Sequence, residues 1–307
     1  MMKKTLLLAT ALVGLYTQTQ AQQIGTTKEA IMAYSQEWKG ERYPDGRPKV
    51  SDDLVERLKS ISIEEAWGVM KNEGYNNQFE AGWQVIHPDK VLAGRVVTAQ
   101  YMPSRPDMEK PIKEKGKAEK RSGSPNSWPI DVLQTNDVYV ADGYGKIIDG
   151  TLIGDNLGNS IYAKSRTGVV FDGGVRDLEG LEEIDGFVGY VRGVDPSYIK
   201  EMIMTGINCP IRIGRTTVLP GDLVLGKKEG VIFIPAHLAE KVITSSEWVS
   251  LQDDFGHQML REGKYTPGEI DMKWSAAIIT TFRGWLKSHP EKVKMSAQEL
   301  EKRITAL

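Results

Sequence analysis

Between residues 151 and 235 the chain alternates brief helical stretches with brief runs of branched apolar residues, joined by links of only a few residues. Residues 156–165 read as a short helix, 168–172 as a buried strand and 178–184 as a second short helix. Residues 186–192 and 211–213 read as further strands, and 216–226 with 230–235 complete a β-rich core. Strands joined by such short turns point to a mixed, packed α/β sheet and away from a doubly wound one.

Upstream, Ile31, Tyr34 and Trp38 fall at helical spacing within residues 27–39, and Tyr43-Pro44-Asp45-Gly46-Arg47-Pro48 reads as a turn. Ser51 before Asp52 and Asp53 caps a second helix, and Ser62 with Glu65 forms a capping box for a third that stops near Gly74. Residues 91–101 and 137–141 read as strands. Between them, residues 102–128 are polar, rich in Pro and Lys, and show no periodicity. Lys110, Lys113, Lys115, Lys117, Lys120 and Arg121 alternate there with Asp107, Glu109, Glu114 and Glu119, and no aromatic precedes Trp128. Mixed signs without aromatics fit a solvated surface insertion better than a nucleic-acid arm.

Beyond His237 the pattern becomes helical and amphipathic, through 248–261 and 270–287, where Trp248, Trp274 and Trp285 suit helix packing better than a sugar site. The expected organisation is a signal at 1–21, a helical extension at 22–61, a central domain at 62–244 with its insertion at 103–128, and a C-terminal helical extension at 245–307.

Composition narrows the function. A 40% apolar chain of 307 residues can bury a substantial core, and a net charge of −2 offers nucleic acid no attraction. Lys3, Lys4, the apolar stretch 5–16 and Ala21 read as a cleavable secretory signal, too short to span a bilayer as a helix. The expected location is periplasmic or secreted, off the membrane once the signal is removed. Cys209 is the only cysteine, so no internal disulfide can form, and its apolar surroundings suggest a buried, inert thiol. His87, His237, His257 and His289 lack metal-ligand spacing. No nucleophile elbow, phosphate loop or dinucleotide fingerprint is present.

Two segments carry chemistry. Gly154 and Gly158 bracket Asp155-Asn156-Leu157 at a helix start, where free N–H groups and the helix dipole suit a carboxylate. Asp172-Gly173-Gly174 reads as a turn that lets backbone approach closely, followed by Arg176 and Asp177 at the exit of a strand. Arg176 offers a planar fork for a carboxylate, and Asp177 is a hard-metal ligand of the kind Mg²⁺ takes singly or in pairs. Asp155 can hold a water or serve proton transfer. The plainer alternative is that Arg176 and Asp177 only pair with neighbouring charges and that the glycines mark ordinary turns.

Gly154-Asp155-Asn156-Leu157, followed by Gly168-Val169-Val170-Phe171-Asp172-Gly173-Gly174-Val175-Arg176-Asp177, resembles the RraA-like family, and the resemblance runs from about Ser62 to Lys241. The family includes class II 4-hydroxy-4-methyl-2-oxoglutarate aldolases that also decarboxylate oxaloacetate. Asp155, twenty intervening residues and Arg176-Asp177 are similar to the aldolases' pattern. The resemblance implies Arg176 for the substrate carboxylate, Asp177 for Mg²⁺ or Mn²⁺, and Asp155 for a metal-bound water. It implies that the Gly154 turn aims the backbone of Asn156 and Leu157 at the same carboxylate. It further implies a ββα swivelling-domain sandwich, assembled as a homotrimer or homohexamer with sites between subunits and a small 2-oxo acid as substrate. Gly180 departs from the family, which often has an acidic residue there; the signal and terminal extensions depart too. The second functional class is a non-catalytic protein-binding regulator, since the founding member inhibits a cytosolic ribonuclease. A secretory signal argues against that class, and so does Asp177, where the regulator has a neutral residue.

Overall fold

The computed structural model describes residues 24–307, so the signal reading falls outside the described residues. Among the described residues eleven strands are formed: β1 (Phe79–Glu80), β2 (Gln84–Ile86), β3 (Leu92–Pro103), β4 (Asp137–Asp142), β5 (Gly168–Val175), β6 (Val188–Val194), β7 (Met202–Ile207), β8 (Ile211–Ile213), β9 (Thr216–Val218), β10 (Leu223–Lys227) and β11 (Gly230–Ile234). Nine of them make one mixed sheet in the order β1-β11-β10-β3-β4-β5-β6-β2, with β7 beside the second half of β3. Strands β3 to β6 are parallel, and every flanking pair is antiparallel. The architecture is the mixed α/β class that the short connections imply.

Period-two alternation explains how the sheet is covered. Val97, Tyr139, Phe171 and Val191 face one way and pack with Ile161 and Leu181 from the crossover helices Asp155–Ser165 and Leu178–Glu182. Val96, Val138, Val170 and Tyr190 face the other way, meeting Ile213, Val218 and Phe233. Both faces of the parallel strands are therefore buried, which is why they read as unbroken apolar runs. The outer face of β10 and β11 packs through Leu223, Leu225, Ile232 and Ile234 against Val55, Leu58, Met70 and Val242 of three helices.

The capping box at Ser62 and Glu65 is formed, with both reciprocal bonds made. Several local readings need correction. The polar segment is not structureless: β3 runs to Pro103, and Pro106–Ala118 is a helix with proline in its first turn. Lys113 pairs with Glu109 one turn away at 2.5 Å, and the Trp128 ring lies so close to Gly116 that a Cβ there would overlap it. Met108, Ile112 and Gly116 fall four residues apart on its less exposed side, with Ile112 against the core, but the many charges and Pro111 inside the helix mask that stripe in the sequence. Asp172-Gly173-Gly174 is no turn either: β5 continues to Val175, with an irregular register against β6 between Phe171 and Gly174. The stretch 270–287 divides at Ser275, which caps a new helix, Ala276–Ser288. That helix and Ala239–Arg261 close a second core around Phe255, Phe282, Trp274 and Trp285. Among the described residues, no helix is long and apolar enough to cross a membrane.

Asp222, at the entry to β10, is buried and accepts the Leu219 N–H at 2.9 Å. Burial pushes its carboxyl up to about 7. The folded chain thus keeps a proton that the unfolded chain releases near pH 4, so this group's contribution falls as pH rises from about 4 to about 7. The slope is at most about 1.4 kcal/mol per pH unit. Asp222→Asn retains an acceptor for Leu219 and should flatten that slope relative to wild type. Urea unfolding of both proteins at pH 4.5, 6 and 8 measures it, and parallel pH profiles would contradict the assignment.

Candidate functional site

The site is built where β5 leaves the sheet. Thr151 bridges Gly174, the Leu152 N–H donates to the Gly174 carbonyl at 2.8 Å, and the Arg176 N–H donates to the Ile153 carbonyl at 3.0 Å. Those bonds lay residues 151–153 beside the end of β5, so that Gly154 arrives next to Arg176 and Asp177. Asp177 has φ +55°, a left-handed conformation that turns the chain sharply into the helix Leu178–Glu182. At the crossing only a hydrogen fits: a Cβ on Gly154 would overlap the Asp177 carboxylate. A Cβ on Gly180 would lie 2.8 Å from Asp155 Cβ and 3.2 Å from its Oδ2. Two helix starts therefore stand side by side, and Asp155, Arg176 and Asp177 surround a pair of glycines.

The Arg176 guanidinium lies 3.3 Å from Asp177 Oδ2, and the two side chains are 41% and 36% exposed. An exposed pair of neighbours contributes little to stability, and both heads remain open to a ligand. Asp155 Oδ1 accepts the Asn156 N–H at 2.7 Å. The carboxylate thus sits on its own helix start, where the dipole favours it. That arrangement corrects one expectation: the Asn156 N–H is engaged by Asp155, and an incoming carboxylate would have to displace it. Leu157 is half-buried against the core, which fixes the helix start in place.

Among the described residues, no three His, Cys, Asp or Glu side chains gather as a metal cluster. Two carboxylates beside a glycine cradle are nevertheless a donor set for a hard, hydrated cation, since Mg²⁺ keeps several waters and takes only one or two protein carboxylates. Zinc is not served: His87 bonds the Phe187 and Glu182 carbonyls, and His237 meets the Tyr75 hydroxyl. Cys209 is half-buried, and burial pushes its thiol up to about 11, which leaves it protonated at neutral pH.

Spacing gives no hint of two features near the site. Gly180 makes room for Asp155, and only the departure from the family's acidic residue marks it in the sequence. Asp172 pairs with Arg192 at 2.7 Å, Arg192 pairs with Glu80 at 2.8 Å, and the same guanidinium lies 3.8 Å from the Trp83 ring centre. Asp172 is thereby committed to holding β5, β6 and the β1–β2 segment together. Cavities of about 840 and 410 Å³ lie against the N-terminal helices, and neither is lined by Asp155, Arg176 or Asp177. The candidate site is an open surface of the single chain.

The RraA-like pattern described as Aldolase/RraA matches residues 48–233. Protein DlpA of Legionella pneumophila is 26% identical over 164 residues, which are 53% of this chain and 24% of that protein. A putative 4-hydroxy-4-methyl-2-oxoglutarate aldolase of Halalkalibacterium halodurans is 29% identical over 118 residues, 38% of this chain and 55% of that one. The chain thus spans a quarter to about half the length of these two relatives. Streptomyces coelicolor RraAS2, described as an unusual member of the RNase ES inhibitor RraA protein family, superposes with a TM-score of 0.58 at 24% identity, over 68% of this chain and 99% of that one.

Proposed function

Because the chain belongs to the RraA-like family, we propose that it is a divalent-metal-dependent lyase acting on a small 2-oxo acid. The reaction is retro-aldol cleavage of substrates of the 4-hydroxy-4-methyl-2-oxoglutarate type, decarboxylation of oxaloacetate, or both. The observation that carries this reading is the contact of Gly154 with the Asp177 carboxylate, which brings a helix start, a guanidinium and two acids to one surface point. A relative named as a putative aldolase supports the reaction class.

Arg176 takes the carboxylate of the 2-oxo acid in its planar fork. Asp177 would hold Mg²⁺ or Mn²⁺, with Asp155 across the glycine pair, and the chemistry such an ion would supply is polarisation of the 2-oxo group and stabilisation of the charge left by C–C cleavage. Asp155 hydrogen-bonds a water and passes a proton: in cleavage it takes the proton of the hydroxyl that becomes a carbonyl and returns one to the carbon freed from the broken bond, and in decarboxylation it gives one to the carbon that loses CO₂. The Leu157 end of the helix start adds its dipole to the substrate-carboxylate side. In a homotrimer or homohexamer a neighbouring copy closes this open face and excludes water.

The test is a panel of 2-oxo acids, oxaloacetate among them, assayed for pyruvate with Mg²⁺, with Mn²⁺ and with chelator. Turnover that disappears with chelator and returns with metal is the expected result. Turnover indifferent to chelator, or none on any substrate, would overturn the lyase. In the latter case a stoichiometric protein partner would mark the non-catalytic regulator.

A further inference from the structure

We propose that the 410 Å³ cavity between the N-terminal helices and the end of β11 is a second ligand site, one that takes a small organic ammonium ion. Its volume lies in the range of small-molecule pockets. Three aromatic residues, Tyr34, Trp38 and Tyr75, form part of its wall, and Glu37 and Asp222 supply carboxyl groups. Among the described residues no Lys or Arg lines it, and its one imidazole is His237. Burial lowers the pKa of that imidazole, against the pull of Glu37, and so favours its neutral form. It is held by the Tyr75 hydroxyl, 3.3 Å from Nε2.

Aromatic faces carry negative potential and attract an ammonium group, most strongly when it is partly desolvated. The Glu37 carboxyl group, without a Lys or Arg beside it in the lining, reinforces that sign, while the buried Asp222 carboxyl holds its proton up to about pH 7 and serves as a polar wall. An anionic 2-oxo acid would be repelled, so this cavity and the surface around Asp177 select opposite charges. None of the lining residues belongs to the 154–177 region. The walls come from the end of the helix Lys28–Tyr34, the residues before β1, the link from β9 to β10 and the exit of β11. A ligand there would bridge the N-terminal helix to the sheet.

Calorimetric titration of the full chain with choline, and with its uncharged isostere 3,3-dimethylbutan-1-ol, tests the assignment. Choline should bind saturably and at least about tenfold more tightly than the alcohol. Glu37→Gln and Trp38→Leu should each weaken choline by about tenfold, while Glu37→Gln leaves pyruvate release from oxaloacetate as in wild type. Equal affinity for the two probes, no saturable heat with choline, or undiminished binding in both variants would overturn the site.

Discussion

Alanine at Gly154 is expected to remove about as much lyase activity as alanine at Asp177, on the order of a hundredfold or more in pyruvate release. The effect is not conformational, because Gly154 has φ −121° and ψ −164°, an extended backbone that any residue adopts. It is steric: the added methyl would occupy space held by the Asp177 carboxylate. Asp177 has little freedom to retreat, since its left-handed backbone is fixed by the Arg176–Ile153 bond on one side and the Leu181–Asp177 bond on the other. Either the carboxylate swings away or the helix start shifts, and a displacement of about 1 Å is enough for such a loss. Gly158→Ala is the control, because its methyl meets the flexible end of Leu181 and not the acids. It should lower stability by about 1–3 kcal/mol while sparing kcat. Thermal melts and steady-state kinetics on the three variants decide the matter. A folded Gly154→Ala protein with wild-type turnover would show that the Asp177 position is immaterial to the chemistry.

Much of the scaffold is legible in the sequence because its signals are local. Ser51 and Ser62 cap helices with their own side chains, and the Val-rich runs of β3, β4 and β5 announce strands buried on both faces. What escapes is set by partners remote along the chain. The residues of β7 are recruited as a strand by the upper half of β3, where the register shifts between Gln100 and Tyr101. The helix Pro106–Ala118 is packed by Ile112 and Trp128 and tied by ion pairs, but its charges and the internal Pro111 hide its apolar stripe from a reading along the chain. At the candidate site, spacing brings out Asp155, Arg176 and Asp177, and the fold places them together. Spacing does not reveal that Asp155 occupies its own helix start, or that Gly180 stands small to admit it. Those facts depend on two helices beginning side by side, a relation with no one-dimensional trace.

The other large effect is expected far from the chemistry, at Asp137. Arg47 reaches from the 43–48 turn into the core with its side chain 0% exposed; Asp137 is also at 0% and Arg95 at 3%. Arg47 lies 3.2 Å from Asp137 Oδ2, Arg95 lies 3.7 Å from Oδ1, and the Gln134 N–H donates to Oδ2 at 3.0 Å. Burial pushes the Asp137 carboxyl above its usual range, and the two guanidiniums draw it part of the way back. Arg47 Nε is tied to Asp45 and Arg95 to Asp52, so two guanidiniums are set among three carboxylates, and Asp137 is the one buried between them. Asp137→Ala would leave two buried guanidiniums facing each other, a loss of about 3–5 kcal/mol and the largest stability change anticipated for a single substitution here. Removing one cation as well should reverse much of it, because a well-packed apolar side chain of similar volume often replaces a buried ion without penalty. Urea unfolding of Asp137→Ala and of the double variant Asp137→Ala with Arg47→Met checks the sign. Recovery in the double variant means that charge balance fastens the 43–48 turn to the sheet; equal losses mean that the bulk and aromatic cover of Arg47 beneath Tyr43, 4.8 Å from the ring centre, do so instead.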